Sequence, residues 1–497
     1  MPIVWTTAES APLKPMSLSA ILALSISLSI SGCGGGSASG GSTQTPTPTP
    51  STTNEWTWMS GSSTVKLMAN GFYSEAGIYG TLGVASSSNV PGGRAGAVSW
   101  TDSGGNLWLF GGNGYDSAGT LGTLNDLWEF STTTKEWTWV SGGNTGTADG
   151  STHGTPGIYG TLGVASATNV PGKRDAPVSW TDTSGNLWLF GGAGYDSTGA
   201  LGNLNDLWEF NPNTKEWTWM GGSDTEGAAG VYGTEGVPST SNFPGARYLS
   251  VSWTDKSGNF WLFSDGYAND LWEFSPTAKT WTWVSGGSTS GTAVYGTQGV
   301  PSASNVPGAR QEAVSWTDSS GNLWLFGGDD LNDLWEFNPT SKEWTWVSGS
   351  DTAGASGVYG TRGVSAAGDV PGARISAVSW TDSSGNLWLF GGQGLDSTGT
   401  GGWLNDLWEF SPATKEWTWM GGANTTYANA TQYQADRGQP GIYGTEGVPA
   451  ATNVPGGRYS AVSWTDSSGN FWLFGGAGHD STAAQIGDLN DLWRYQP

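Results

Sequence analysis

The sequence predicts an all-β fold: a six-bladed β-propeller with four antiparallel strands per blade, its ring closed by the N-terminal strand completing the last blade. Three observations predict it. Four short motifs recur six times from Asn54 onward, their order makes each unit a four-stranded sheet, and the chain begins and ends one strand out of phase.

The chain has 497 residues, 32 of them tryptophan and 81 glycine, and a net charge of −24. So many aromatics exclude a disordered chain. The acidic balance argues against nucleic acid, whose phosphates need a Lys/Arg surface, and against anionic lipid headgroups as the target.

Residues 1–32 read as an export signal. Lys14 precedes an apolar run from Met16 to Ile30, which is short for a membrane span and suits a signal h-region. Translation could instead begin at Met16. The run ends in Ile30-Ser31-Gly32-Cys33, which resembles the lipobox of bacterial lipoproteins. That resemblance implies cleavage before Cys33, its lipidation, and anchoring at the cell envelope, on the outer membrane or cell surface. The alternative is a plain secretory signal. Cys33 is the only cysteine, so no intramolecular disulfide forms. Residues 33–53 carry the lipid and a Gly/Ser then Thr-Pro linker, a spacer.

Residues 54–497 form the propeller. A Pro-Gly-X-Arg motif ends at Arg94, Arg174, Arg247, Arg310, Arg374 and Arg458. Strand a (Ala-Val-Ser-Trp) follows, then strand b (Leu-Trp-Leu-Phe), strand c (Asp-Leu-Trp-Glu-Phe) and strand d (Glu-Trp-Thr-Trp-Val). Asp-Ser-Ser-Gly-Asn and its variants make a tight a–b hairpin. Strand b is apolar at every position, so both its faces are buried. The chain starts with a d strand (Trp56, Trp58) and finishes after a c strand (Trp493, Tyr495), so the first strand can complete the last blade. All tryptophans but Trp5 and Trp403 fall on the repeat, which assigns them to the core rather than to sugar-stacking platforms.

Leu109-Phe110-Gly111-Gly112 and its counterparts, followed by spaced aromatics leading to a Trp, resemble the Kelch motif over residues 54–497. The repeats are longer than usual for Kelch, and blade three has Ser264-Asp265 in place of the Gly-Gly doublet. Membership would imply one of three things: a galactose-oxidase-like copper enzyme, a sialic-acid mutarotase, or a binding scaffold. The copper route lacks ligands, because Cys33 lies outside the propeller and His153 and His479 are the only histidines. Nucleophilic triads fail on the same grounds.

Antiparallel connectivity puts the a–b and c–d turns on one face and the b–c and d–a loops on the other, where recognition is expected. Blades one, two, five and six have long b–c loops. Blades three and four have almost none, which predicts a groove there. The six arginines at the channel mouth could form an anion-binding ring. Alternatively each pairs with Asp126 or Glu129 and their equivalents, stapling neighbouring blades, and their presence in every blade favours pairing. Asp175, Tyr248, Gln311, Glu312 and Tyr459 stand just beyond the arginines, where the repeat stops dictating identity, and are candidate selectivity residues. Trp403, between Gly401-Gly402 and Leu404, is expected in an exposed loop, stacking on a sugar or plugging the loop. Asp265, Asp329 and Asp330 offer hard oxygen ligands for Ca²⁺, though without EF-hand spacing, and no other cofactor is expected.

The leading expectation is a monomeric binding module, lipid-anchored, which recognises a glycan or protein through the long-loop face. It would touch membrane only through the anchor. The second is a mutarotase-like sugar enzyme using Arg and carboxylates at the channel mouth.

Overall fold

The computed structural model describes residues 53–148, 154–289, 291–426, 438–482 and 485–497. Cys33, the signal segment and the linker up to residue 52 lie outside the described residues. Every regular element among the described residues is a β-strand.

The repeat becomes six antiparallel four-stranded sheets with one strand order, a-b-c-d. Sheet one comprises Val98–Thr101, Leu107–Phe110, Leu127–Ser131 and Glu136–Ser141. Sheets two to five begin at Val178, Val251, Val314 and Val378. Sheet six joins Val462–Thr465, Phe471–Phe474 and Leu492–Gln496 to the N-terminal strand Glu55–Ser60. That strand pairs Trp56 with Tyr495 and Trp58 with Trp493. A bulge follows at Ser60, in the same register that sets Trp137 against Phe130 and Trp139 against Trp128 within sheet one. The arrangement is propeller-like.

Side-chain alternation explains each strand. In strand a, Val98 and Trp100 are buried while Ser99 and Thr101 face a less crowded side; in strand b all four residues are buried. Each apolar cluster draws on two neighbouring sheets. One joins Trp100 and Trp108 of sheet one to Leu187 and Trp208 of sheet two, and another joins Trp56 and Phe471 of sheet six to Trp380 and Phe390 of sheet five. The first tryptophan of each strand d is buried; the second, as in Trp139, is half-buried with a tyrosine edge-on against it at 5.3 Å. The core is therefore a set of seams between sheets, with edge-to-face aromatic pairs in each.

Two hydrogen-bond cycles run through all six sheets. The strand-a indole N–H groups donate to the next sheet's strand-b carbonyls: Trp100 to Trp188, Trp180 to Trp261, Trp253 to Trp324, Trp316 to Trp388, Trp380 to Trp472 and Trp464 to Trp108. The second cycle is backbone only. Ala176, Leu249, Glu312, Ser376, Ser460 and Gly96 each donate an N–H to the preceding member's carbonyl, at 2.8 to 3.2 Å. All six sit at positive φ, between 48° and 66°. Five of them are not glycine, so the cycle holds a conformation their side chains disfavour.

Strand d would expose a hydrogen-bonding edge. The d–a connection covers it: Gly83 N–H donates to Trp139 O, and Asn89 Nδ2 bridges Val84 O and Trp137 O. Covered edges remove a template for aggregation.

Candidate functional site

Each Pro-Gly-X-Arg motif delivers its arginine into a buried knot. Arg94 Nε donates to Gly92 O at 3.1 Å, Nη1 to Gly111 O at 3.0 Å and Asp126 Oδ1 at 2.7 Å, and Nη2 to Asp126 Oδ2 at 2.8 Å. Asp126 Oδ2 also accepts from the Tyr79 hydroxyl and the Trp128 indole. The same bidentate pair joins Arg174 to Asp206, Arg247 to Asp270, Arg310 to Asp333, Arg374 to Asp406 and Arg458 to Asp491. None of these six arginine side chains is more than 2% exposed. Burial and the Asp126 charge push the Tyr79 hydroxyl well above the usual tyrosine range, which keeps it a donor.

This corrects two expectations. Arg94, Arg174, Arg247, Arg310, Arg374 and Arg458 are not a ligand-binding ring, because each guanidinium is buried in a bidentate pair with an aspartate inside the protein. Nor do their side chains staple neighbours: each pairs within its own sheet, and Glu129 instead meets Lys215 of sheet two at 3.0 Å. The stapling is done by the arginine backbone, as when Arg174 N–H donates to Leu124 O and its carbonyl accepts from Gly112 N–H. Sheet three lacks the leucine and the Gly-Gly doublet. There Ser264 takes the left-handed conformation at φ 61°, and its Oγ accepts the Arg310 N–H and donates to Ala268 O.

An axial cavity of about 510 Å³ is lined by the Ser-Trp-Thr of all six a strands. Ser99 Oγ donates to Ser463 O and Ser179 Oγ to Ser99 O, so hydroxyls carry bonds from sheet to sheet. No charged residue lines it.

The b–c connections are built up on four sheets. On sheet one, Asn113–Tyr115 and Leu121–Thr123 form a second small sheet with Arg94–Ala95 and Thr147–Ala148. On sheet two, strands b and c run on to Tyr195 and start at Leu201. Sheet five adds Gln393–Leu395 and Gly401–Trp403, and sheet six adds Ala477–His479 and Ile486–Asp488, joined by Lys66–Leu67 and Tyr73–Ser74. Asp396 shows how such a hairpin is held. Burial would raise its carboxyl, but N–H groups of Thr426, Thr400 and Thr398 and the Thr398 hydroxyl hold it below the usual range. Sheets three and four have only Ser264–Ala268 and the Asp329-Asp330 turn, whose φ values are 46° and 60°.

The non-repeating candidates divide. On the low side, Gln311 Nε2 donates to Asp265 O at 2.9 Å, and its backbone N–H bonds the Asp329 carboxylate. Partial burial raises the Asp329 carboxyl above the usual range. The half-buried Glu312 accepts from the Ser376 hydroxyl at 2.7 Å. Asp265, Gln311, Glu312 and Asp329 are thus brought together, with Asp330 exposed beside them. Tyr248 is half-buried directly after Arg247. Asp175 is half-buried, its carboxylate close to Gly96 in the backbone cycle. Lys173 near it is buried, its Nζ donating to Thr145 O.

Two further expectations are corrected. Trp403 is only 8% exposed, in a β-hairpin and not a free loop, its ring 5.3 Å from Tyr459 and 5.4 Å from His479. It joins the added layers of sheets five and six, and takes Tyr459 with it. Asp265, Asp329 and Asp330 do not assemble a metal site: Asp265 Oδ1 accepts the N–H groups of Tyr267 and Ala268, and no group of three His, Cys, Asp or Glu among the described residues is placed to hold a metal. Tyr267, 75% exposed on the low side, was not singled out from sequence. Its signal was there: an aromatic in the shortest b–c link, off the repeat.

No protein-family model matches the chain, and no curated protein matches it. Among solved structures, one described as "Structure of YjhT" is similar with a TM-score of 0.45 and 14% sequence identity, over 83% of this chain and 95% of that one.

Proposed function

We propose that the chain is a six-bladed, Kelch-type β-propeller that serves as a binding module, anchored by a lipid on Cys33 at the cell envelope. It takes a neutral or positively charged glycan or protein in the groove over blades three and four. One observation carries the reading. The six Pro-Gly-X-Arg arginines are all locked in buried ion pairs, while the positions that depart from the repeat on the low side are acidic and aromatic: Asp265, Glu312, Asp329, Asp330, Tyr248 and Tyr267. Exposed carboxylates and an exposed ring suit hydroxyl or amine donors and a sugar or side-chain face. The low-side carboxylates repel an anion.

The mutarotase-like alternative needs free arginines to hold an acidic sugar, and the buried pairs withhold them. A glycan array spanning neutral, amine-bearing and carboxylate-bearing sugars tests the reading, with a pull-down from envelope extract for protein ligands. Neutral or amine-bearing hits, or an envelope protein, are expected; a profile dominated by sialylated or uronic-acid glycans overturns it. NMR of anomer exchange with sialic acid should show rates no faster than buffer. Intact-mass measurement of membrane-extracted protein should find cleavage before Cys33 and an added lipid.

A further inference from the structure

The seam between sheets five and six differs from the other five at three positions. Where strand d ends, the template pairs a serine with a valine of the following connection: Ser60 with Val90, Ser141 with Val170, Ser285 with Val306, Ser348 with Val370. Sheet two has glycine, but Phe243 fills the space, since a Cβ added at Gly221 would stand 2.9 Å from its ring. Sheet five alone combines glycine, Gly421, with a valine, Val454. The lysine that opens each strand d, and in three seams lies 4.3 to 4.4 Å over a neighbouring tryptophan ring, is replaced here by Asn54. Third, the residue facing strand d from the connection is Arg362, where other repeats have Leu82, Leu162, Glu235, Gln298 and Glu446.

These three changes leave a crevice of about 310 Å³ between the sheets. Trp56, Leu407, Met420, Ile442 and Val454 supply apolar walls. Arg362 stands exposed at its edge, its Nε donating to Met420 O, and a Cβ added at Gly421 would meet its Nη2 at 3.2 Å. Nε is satisfied, so the guanidinium presents its terminal N–H groups at the mouth. A cleft of this size takes a small molecule rather than a water cluster.

We infer that this crevice is a second binding site, for a small amphipathic carboxylate whose apolar body enters between Leu407 and Val454 while its carboxylate meets Arg362. The apolar walls favour an apolar body over an inorganic anion, Asn54, Asn405, Gln439 and Thr452 line the rest of the crevice, and the arginine selects acid over alcohol or amine. The site is independent of the acidic groove and differs from it in charge preference.

The test is ¹H NMR titration of the full chain with 4-phenylbutyrate, 4-phenylbutanol and 4-phenylbutylamine. The acid should bind saturably and roughly tenfold more tightly than the alcohol, the amine more weakly still. Arg362→Gln, at an exposed position, should remove the preference for acid over alcohol. Val454→Phe should abolish saturable binding of both by filling the cleft as Phe243 does at Gly221, without lowering the melting temperature. Equal affinity for acid and alcohol, no saturation by the acid, or acid binding unaltered by either substitution would overturn the assignment. If Val454→Phe proves unstable, Arg362→Gln decides alone.

Discussion

The arginine knots and the b–c connections sit a few residues apart and follow opposite rules. At the knots, six sheets repeat one arrangement to within a few tenths of an ångström: Arg94–Asp126 and Arg458–Asp491 each have a 2.7 Å contact and bury both partners. At the b–c connections, sheet one carries an added four-stranded layer and sheet four a two-residue turn. The difference teaches where to look for selectivity. Charge that repeats in every sheet is built into the frame, and the groups left to meet a ligand are those that break the repeat.

The largest expected effect comes from breaking a knot. Asp206→Ala leaves Arg174 charged, buried and unpaired, and strands the Tyr159 and Trp208 donors. It should cost about 3–5 kcal/mol, read by urea denaturation. A loss under ~1 kcal/mol would mean that the knot is not a buried ion pair in solution.

Acid separates the two regions by sign. Burial would raise Asp270, but Arg247, Trp272 and Tyr232 outweigh it and hold its carboxyl below the usual range. A depressed folded value contributes stability that is present above the unfolded value, about 3.9, and lost as pH falls through the folded one. Asp329 is shifted the other way, so its ionisation opposes folding and protonation on acidification relieves that cost. Melting temperature should therefore fall below about pH 4 for the wild type, while Asp329→Asn should raise it slightly at pH 7 and leave it unchanged near pH 3. Destabilisation by Asp329→Asn at pH 7 would contradict this.

The smallest effect lies on the short-turn side. Lys215, Lys342 and Lys415 meet Glu129, Glu273 and Glu336 across seams, but Lys135 faces Arg494, where sheet six has replaced the glutamate. Arg494→Glu should supply the missing partner and stabilise by about 0.2–1 kcal/mol, less at high salt. No gain at low salt would show that the seam charges are decorative.

Much of the frame was legible because repetition averages out local ambiguity. Ser-Trp-Thr and Leu-Trp-Leu-Phe mark strands a and b, and the unpaired Trp-Thr-Trp at residue 56 marks the strand that joins the last sheet. The arginine's partner was harder, since Asp126 recurs in all six repeats and Glu129 in five of them. Only the fold shows that the aspartate, preceding the tryptophan, points into the sheet while the glutamate points to the next lysine. The added hairpins were hidden because strands as short as Asn113–Tyr115 and Gly401–Trp403 are glycine-rich and show no alternation. The glycines beside Trp403 read as an exposed loop, whereas they are the close-packed partners of Gly394 and Leu395. The crevice at Gly421 depends on Val454, distant in sequence, being too small to fill it.

The most direct test compares glycan-array and envelope pull-down profiles of the wild type with those of a protein carrying Tyr248→Ala, Tyr267→Ala and Glu312→Gln. The account predicts that the wild-type signals fall at least ~10-fold, the size of losing a few polar and stacking contacts, while the melting temperature is unchanged. Profiles that persist in the variant, or that favour carboxylate-bearing glycans, would contradict it.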